Sequence, residues 1–286
     1  MTYLLLLAST LLTGVITILK KFLQKSLQLN FSNFTFYSFI NGAVGSLFLF
    51  ASCGFRPQIN AVTITYALIY GAVVFISLVA GLLFLSENPV SLYTLTDMAG
   101  ALIPSALVGI LFLREPFSPK LVLSVILMLI ALMLPYIKTK NKSFKAQTAL
   151  FCLLLFAAGG GNVIVIKLFS LTGAHAESMF FLTNVLLFIL CGAILLTTSI
   201  VYKQKHKGFT WKQYANISLS TCLSNVTSVL SAYILAKMTI STYTVLNSSL
   251  ILIVGAFVSV LLFKEKSTRE NNIALVLAIV SIILSV

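Results

Sequence analysis

The polar residues of this chain are gathered into short gaps, and between them lie ten apolar runs: 3–23, 34–52, 62–85, 90–113, 120–137, 147–169, 178–202, 213–236, 239–263 and 271–286. A helix needs about 20 apolar residues to cross a ~30 Å hydrocarbon layer. Ten runs near that length predict an all-α polytopic membrane protein of ten transmembrane helices. The runs are continuous rather than alternating, and lipid leaves no backbone group unpaired, so helices are expected in preference to a β-barrel. The first run is not expected to be a cleavable signal, because its lysines follow the apolar stretch and nine more runs come after it.

Composition narrows the function classes. Hydrophobic residues make up 59% of the 286 and charged residues 9%, which suits a chain that uses lipid as its solvent. The formal net charge of +13 does not point to nucleic acid, because the lysines sit in short connections rather than in a basic stripe on a soluble domain. Fourteen of the nineteen Lys and Arg fall in odd-numbered connections, which favours those connections in the cytoplasm and both termini outside. Cys53, Cys152, Cys191 and Cys222 are scattered without C-x-x-C spacing, and His175, Glu177 and His206 lie in connections, so no metal site or cofactor is expected. No nucleophile and base pair or phosphate loop is present, so the chain is not expected to be an enzyme.

The sequence repeats itself. Displaced by 150 residues, "VSLYTLTDMAGALIPSALVGILFLREPFS" falls on "ISTYTVLNSSLILIVGAFVSVLLFKEKST", pairing Ser91 with Ser241, Tyr93 with Tyr243, Thr94 with Thr244 and Glu115 with Glu265. A displacement of 147 lays "TGVITILKKF" on "GGNVIVIKLF", pairing Lys20 with Lys167. The expected organisation is one transporter domain, 1–286, made of repeat one, 1–140, and repeat two, 146–286. Five spans per repeat force the second copy to enter the membrane inverted, as in many secondary transporters, whose site lies near the midplane.

These features resemble the drug/metabolite transporter superfamily in its EamA-like ten-helix form: two five-span repeats, a lysine near the end of spans one and six, and a glutamate after spans four and nine in "FLREPFS" and "LFKEKST". The resemblance covers essentially the whole chain. It implies a ten-helix basket around a central cavity, termini inside rather than outside, and transport of amino acids, cations, drugs or sugar nucleotides. Here Arg114 and Lys264 precede the acids, a departure from the small residue common in the family.

The expected function is secondary active transport, by alternating access, of a small cationic or zwitterionic metabolite or drug, as uptake or efflux, with a proton or other coupling ion as a partner alongside the substrate and the lipid bilayer. The cell membrane is the expected location. Asp97 carries this expectation. It is the chain's only aspartate, about 12 Å along its span from Pro89, and a charge at such depth usually marks a substrate or proton path. The alternative is a carboxyl that holds span four to a neighbour. Its repeat partner is Asn247.

Substrate contacts are also expected at Thr221, Ser224, Asn225 and Ser228, a polar stripe on span eight that small-residue packing would equally explain, and at Thr13 on span one. Tyr70, Tyr93 and Tyr243 could face a cation. Lys20 and Lys167 suit an alternative function, transport of an anionic metabolite or sugar nucleotide, or they merely reach to headgroups. Glu115 and Glu265 are read as structural charges at helix ends. Glycines 159–161, with Gly42 and Gly45, permit close helix approach or unwinding, and Pro104 should bend span four. A non-transporting membrane scaffold is a further alternative.

Overall fold

The structure, a computed structural model, describes residues 1–26, 31–87, 90–116, 118–134, 146–201, 208–263 and 269–285. These form ten helices and no strand: α1 (Thr2–Ser26), α2 (Phe31–Ser52), α3 (Ala61–Glu87), α4 (Val90–Leu111), α5 (Pro119–Met133), α6 (Ala146–Ser170), α7 (Ala176–Val201), α8 (Trp211–Lys237), α9 (Ile240–Phe263) and α10 (Arg269–Ser285). Each apolar run has become one helix, with ends within four residues of those expected. Local chemistry sets the starts. Asn60 Oδ1 accepts from Thr63 N at 2.7 Å ahead of α3, Gln213 reaches back to Thr210 N at 2.8 Å ahead of α8, and Pro119 opens α5, where its missing N–H costs nothing.

Six helical stretches are long and apolar enough to cross a bilayer among the described residues: Thr2–Leu19, Ser32–Ser52, Ala61–Gly81, Ala149–Ser170, Ala176–Ile200 and Trp211–Lys237. Four further apolar stretches are shorter: Thr96–Leu111, Pro119–Met133, Ile240–Val254 and Asn272–Leu284. This is a helical membrane protein, and large apolar side chains such as Leu4, Leu47 and Ile200 stand exposed on the helices as lipid-facing groups do.

The chain packs as two compact units, and neither follows the 1–140 and 146–286 halves. One comprises Met1–Leu11, Val73–Leu168 and Ile234–Val286, the other Leu12–Ala72 and Phe169–Tyr233. In the first, α4, α5, α9 and α10 pack on one another around Leu102, Met128, Leu132, Val245, Ala274 and Ala278. The seam of α5 and α10 is lined by small residues, with buried Ser281 donating to Ser124 O at 2.6 Å, because lipid supplies no hydrophobic drive and close approach must hold the helices together.

The α4–α6 contact is closer still. A methyl group on Gly100 would lie 2.3 Å from the Phe156 carbonyl oxygen, and one on Gly159 would lie 2.5 Å from the Asp97 carbonyl oxygen. The two backbones therefore touch. Both helices run unbroken through these glycines, and α4 continues through Pro104.

In the second unit α2 packs on α7. Gly42 brings the α2 backbone onto that of Asn184 and Phe188, and the Phe39 and Phe188 rings stack at 4.6 Å. Across the two units a common pattern holds: α2 meets α7, α4 meets α9 and α5 meets α10, each helix packed on the one five places later.

Candidate functional site

In the first unit the polar residues divide into those that close helix ends and those left within the apolar length. Glu115 belongs to the former. It stands just past α4 and accepts from Ile240 N at 2.5 Å, Ser241 N at 3.3 Å and Ser241 Oγ at 2.9 Å. A carboxylate satisfies donors at the N-terminus of α9 and faces the positive end of its dipole. Glu265 lies outside the described residues.

Lys167 does the converse. Its ammonium, 7% exposed, donates to Leu235 O at 2.6 Å and Met238 O at 2.7 Å, which closes the carbonyl end of α8. At least two of its three donors are engaged by backbone. The side chain of Lys20 lies outside those described, so the expected lysine pair is represented by Lys167 alone.

Asp97 remains within the span. It is the eighth residue of α4, half-buried, and Oδ1 would lie 3.2 Å from a methyl group at Gly159, so the carboxylate rests against α6. Three residues beyond Gly159, Asn162 Oδ1 is buried with no hydrogen-bond partner among the described residues. An acceptor left unsatisfied at such a place is costly. Asn247 is half-buried and Tyr243 buried, both on α9, which packs against α4. The side chain of Tyr93 lies outside those described.

The second unit holds a connected amide network. Asn184 Nδ2 donates to Asn225 Oδ1 at 3.0 Å and to Phe180 O at 2.8 Å; Asn225 Nδ2 donates to Thr221 O at 3.0 Å; Thr221 Oγ1 donates to Asn41 Oδ1. Gly45 leaves room for it, since a methyl group there would lie 2.2 Å from Asn184 Oδ1 and 2.9 Å from Asn225 Nδ2. Thr221 and Asn225 are thus buried members of a link joining α2, α7 and α8.

Ser224, Ser228 and Ser231 continue the α8 stripe and are half-buried. Ser228 Oγ donates to Ser224 O at 2.9 Å and Ser231 Oγ to Thr227 O at 2.8 Å. Both hydroxyls thus give their proton to a carbonyl of their own helix. Tyr70 stands edge-on to Phe180, with ring centres 5.4 Å apart, and Thr13 is half-buried on α1.

Sequence reasoning missed Asn162 and Asn184, although each is an isolated amide inside an apolar run, the same signal that picked out Asp97. Among the described residues no group of three His, Cys, Asp or Glu could hold a metal ion.

No protein-family profile matches the chain, and no curated protein sequence matches it. Solved structures do: 28 chains match. One, described only as the crystal structure of a protein, has a TM-score of 0.73 at 13% identity and covers 99% of this chain and 97% of its own. At that identity the likeness shows the fold alone.

Proposed function

We propose that this chain is a secondary active transporter of a small cationic or zwitterionic solute, working by alternating access as an EamA-like drug/metabolite transporter would, in the cell membrane and with all ten helices spanning. Asp97 is the group that binds the solute's amine or a proton. The observation that carries this is a half-buried carboxylate within the length of α4. Ionisable groups within membrane spans usually mark a substrate or ion path.

Two further features support the sign of the substrate. Asn162 Oδ1, on the helix packed against Asp97, is a buried acceptor in want of a donor. Lys167, the described lysine that an anion would need, is engaged with backbone carbonyls. The packing of α2 on α7, α4 on α9 and α5 on α10 is what an inverted five-helix repeat would produce, and a division into two compact units suits alternating access.

Thermal unfolding of the purified protein against amines, amino acids, nucleotides and sugars tests this. A ligand at 100 times its dissociation constant adds about 2.7 kcal/mol to the folded state, which raises Tm by roughly 5–10 °C. An amine or amino acid should stabilise the wild type and fail to stabilise Asp97→Asn. Stabilisation by anions alone, or equal stabilisation of Asp97→Asn, would overturn the assignment.

A further inference from the structure

Asn162 stands between Gly161 and Val163, inside the apolar length of α6. Its Oδ1 is buried and accepts no hydrogen bond among the described residues. A carbonyl oxygen shut away from water without a donor is costly, and each such group calls for an explanation. Its own helix supplies no donor, because α6 runs unbroken here and its N–H groups serve carbonyls one turn back. The face of α4 that touches α6 supplies none either: Gly100 and Ala101 belong to the ladder of their own helix, and Pro104 has no N–H. The hydroxyls near that face are engaged. Ser105 donates to Leu102 O at 3.1 Å, and Thr96 pairs with Cys152 Sγ at 3.7 Å. The internally similar stretch of α1 carries Val15 where α6 carries Asn162, so an amide is not a shared packing requirement of the two stretches.

The orphaned oxygen belongs to a residue that stands near the carboxylate of Asp97, and both lie in the first compact unit. Gly159 is one turn before Asn162 on the same side of α6, and residues so spaced have Cβ positions about 5–6 Å apart. Asp97 Oδ1 is 3.2 Å from the Cβ position of Gly159. The Asn162 side chain therefore springs from a point at most roughly 9 Å from that carboxylate oxygen.

We propose that Asn162 is the second contact of the solute site, and that the solute is a small ammonium compound carrying a further N–H or O–H donor about two carbons from its nitrogen, of the amino alcohol or diamine class. This rests on Asp97 as the amine-binding group. The ammonium sits on the carboxylate in a charge-assisted hydrogen bond, and the second donor satisfies Asn162 Oδ1. Two hydrogen bonds of about 2.8 Å with such a solute between them reach roughly 8–9 Å from oxygen to oxygen, a span of the size that the Gly159 contact allows. A plain alkylamine would leave the amide oxygen buried without a donor. A site built to receive a hydrogen bond rejects an analogue that lacks it for that reason.

Isothermal titration calorimetry of the detergent-solubilised protein with 2-aminoethanol, and with propylamine in which a methyl group replaces the hydroxyl, tests the proposal. The wild type should bind 2-aminoethanol about tenfold more tightly than propylamine, the worth of one net hydrogen bond. Asn162→Leu should lose the preference, still bind propylamine, and melt at or above the wild-type temperature, since it removes an unsatisfied acceptor; a structural amide would instead lower the melting temperature. Asp97→Asn should bind neither amine. Equal affinity of the wild type for the two amines overturns the proposal without any variant, and so does a preference that survives in Asn162→Leu while Asp97→Asn loses binding. Failure of the wild type to bind either amine, or undiminished binding by Asp97→Asn, overturns the reading of Asp97 and this inference with it.

Discussion

Replacing Gly100 by alanine would test the backbone contact on which the position of Asp97 depends. The new methyl carbon would lie 2.3 Å from the Phe156 carbonyl oxygen, 2.7 Å from its Cα and 2.8 Å from its carbonyl carbon. All three are backbone atoms and none can swing aside, so reaching ordinary contact distance requires α4 and α6 to part by about 1 Å. That separation also opens the contacts at Gly159 and Gly160, where methyl groups would lie 2.5 Å from Asp97 O and 2.6 Å from Pro104 Cβ. A gap of that size forfeits a quarter to a half of each dispersion contact, and overpacking of this kind costs about 1–3 kcal/mol. Alanine returns roughly 1 kcal/mol through its better helix propensity.

The expected net loss is about 1 kcal/mol, a fall in Tm of roughly 2–4 °C. It is read in mild detergent with a thiol-reactive dye that reports the release of Cys191, which is 1% exposed. Gly71→Ala is the control. The nearest atom to its new methyl group is Leu186 Cδ1 at 3.5 Å, an ordinary contact, so that variant should melt at or slightly above the wild-type temperature. If Gly100→Ala melts with the wild type, α4 and α6 are not in backbone contact and the placement of Asp97 against Gly159 is wrong.

Three other outcomes follow from the polar contacts. Glu115→Ala removes the acceptors for Ile240 N and Ser241 N and should cost about 1–2 kcal/mol in the same melt, with Glu115→Gln costing less; equal melting of all three proteins would refute the cap. The Asn184→Ala and Asn225→Ala double-mutant cycle should show a coupling of about 0.6 kcal/mol, with roughly 1.7 as an upper bound, and strict additivity would deny the 3.0 Å hydrogen bond. Burial, with the negative charge of Glu177 adding to it, holds the Cys53 thiol above its ordinary range against opposing hydrogen bonds from Ser178 and Ser52. Less thiolate is therefore present at mildly alkaline pH than for a free cysteine, and Glu177→Gln should lower the pKa and speed Cys53 alkylation, followed by mass spectrometry; a slower or unchanged rate would contradict this.

Where the helices lie was legible because lipid demands long apolar runs and water demands polar ends, and both demands are written in residue type. The Glu115 reading as a structural charge at a helix end was legible for the same reason. Its partner was not, because the groups it binds are the backbone N–H of Ile240 and Ser241, which every sequence contains. Lys167 teaches the same lesson with carbonyls: the residue type suggested a phosphate or a headgroup, and the donors go to Leu235 and Met238. Internal similarity paired α4 with α9 as counterparts, yet it could not tell that such counterparts touch, or that the compact units would draw on both halves of the chain. Asn162 and Asn184 were overlooked because attention went to the one charged residue, although a lone amide in lipid is subject to the same physics. For Asp97 the sequence supplied the anomaly and the structure supplied its neighbour, Gly159.

The central claim concerns what that carboxylate does. Wild-type protein and Asp97→Asn, matched for reconstitution and melting temperature, would be placed in proteoliposomes under a pH gradient and offered a panel of labelled amines and amino acids. The account predicts that the wild type accumulates at least one of them above its equilibrium level and that Asp97→Asn does not. Accumulation by Asp97→Asn at the wild-type rate would contradict it.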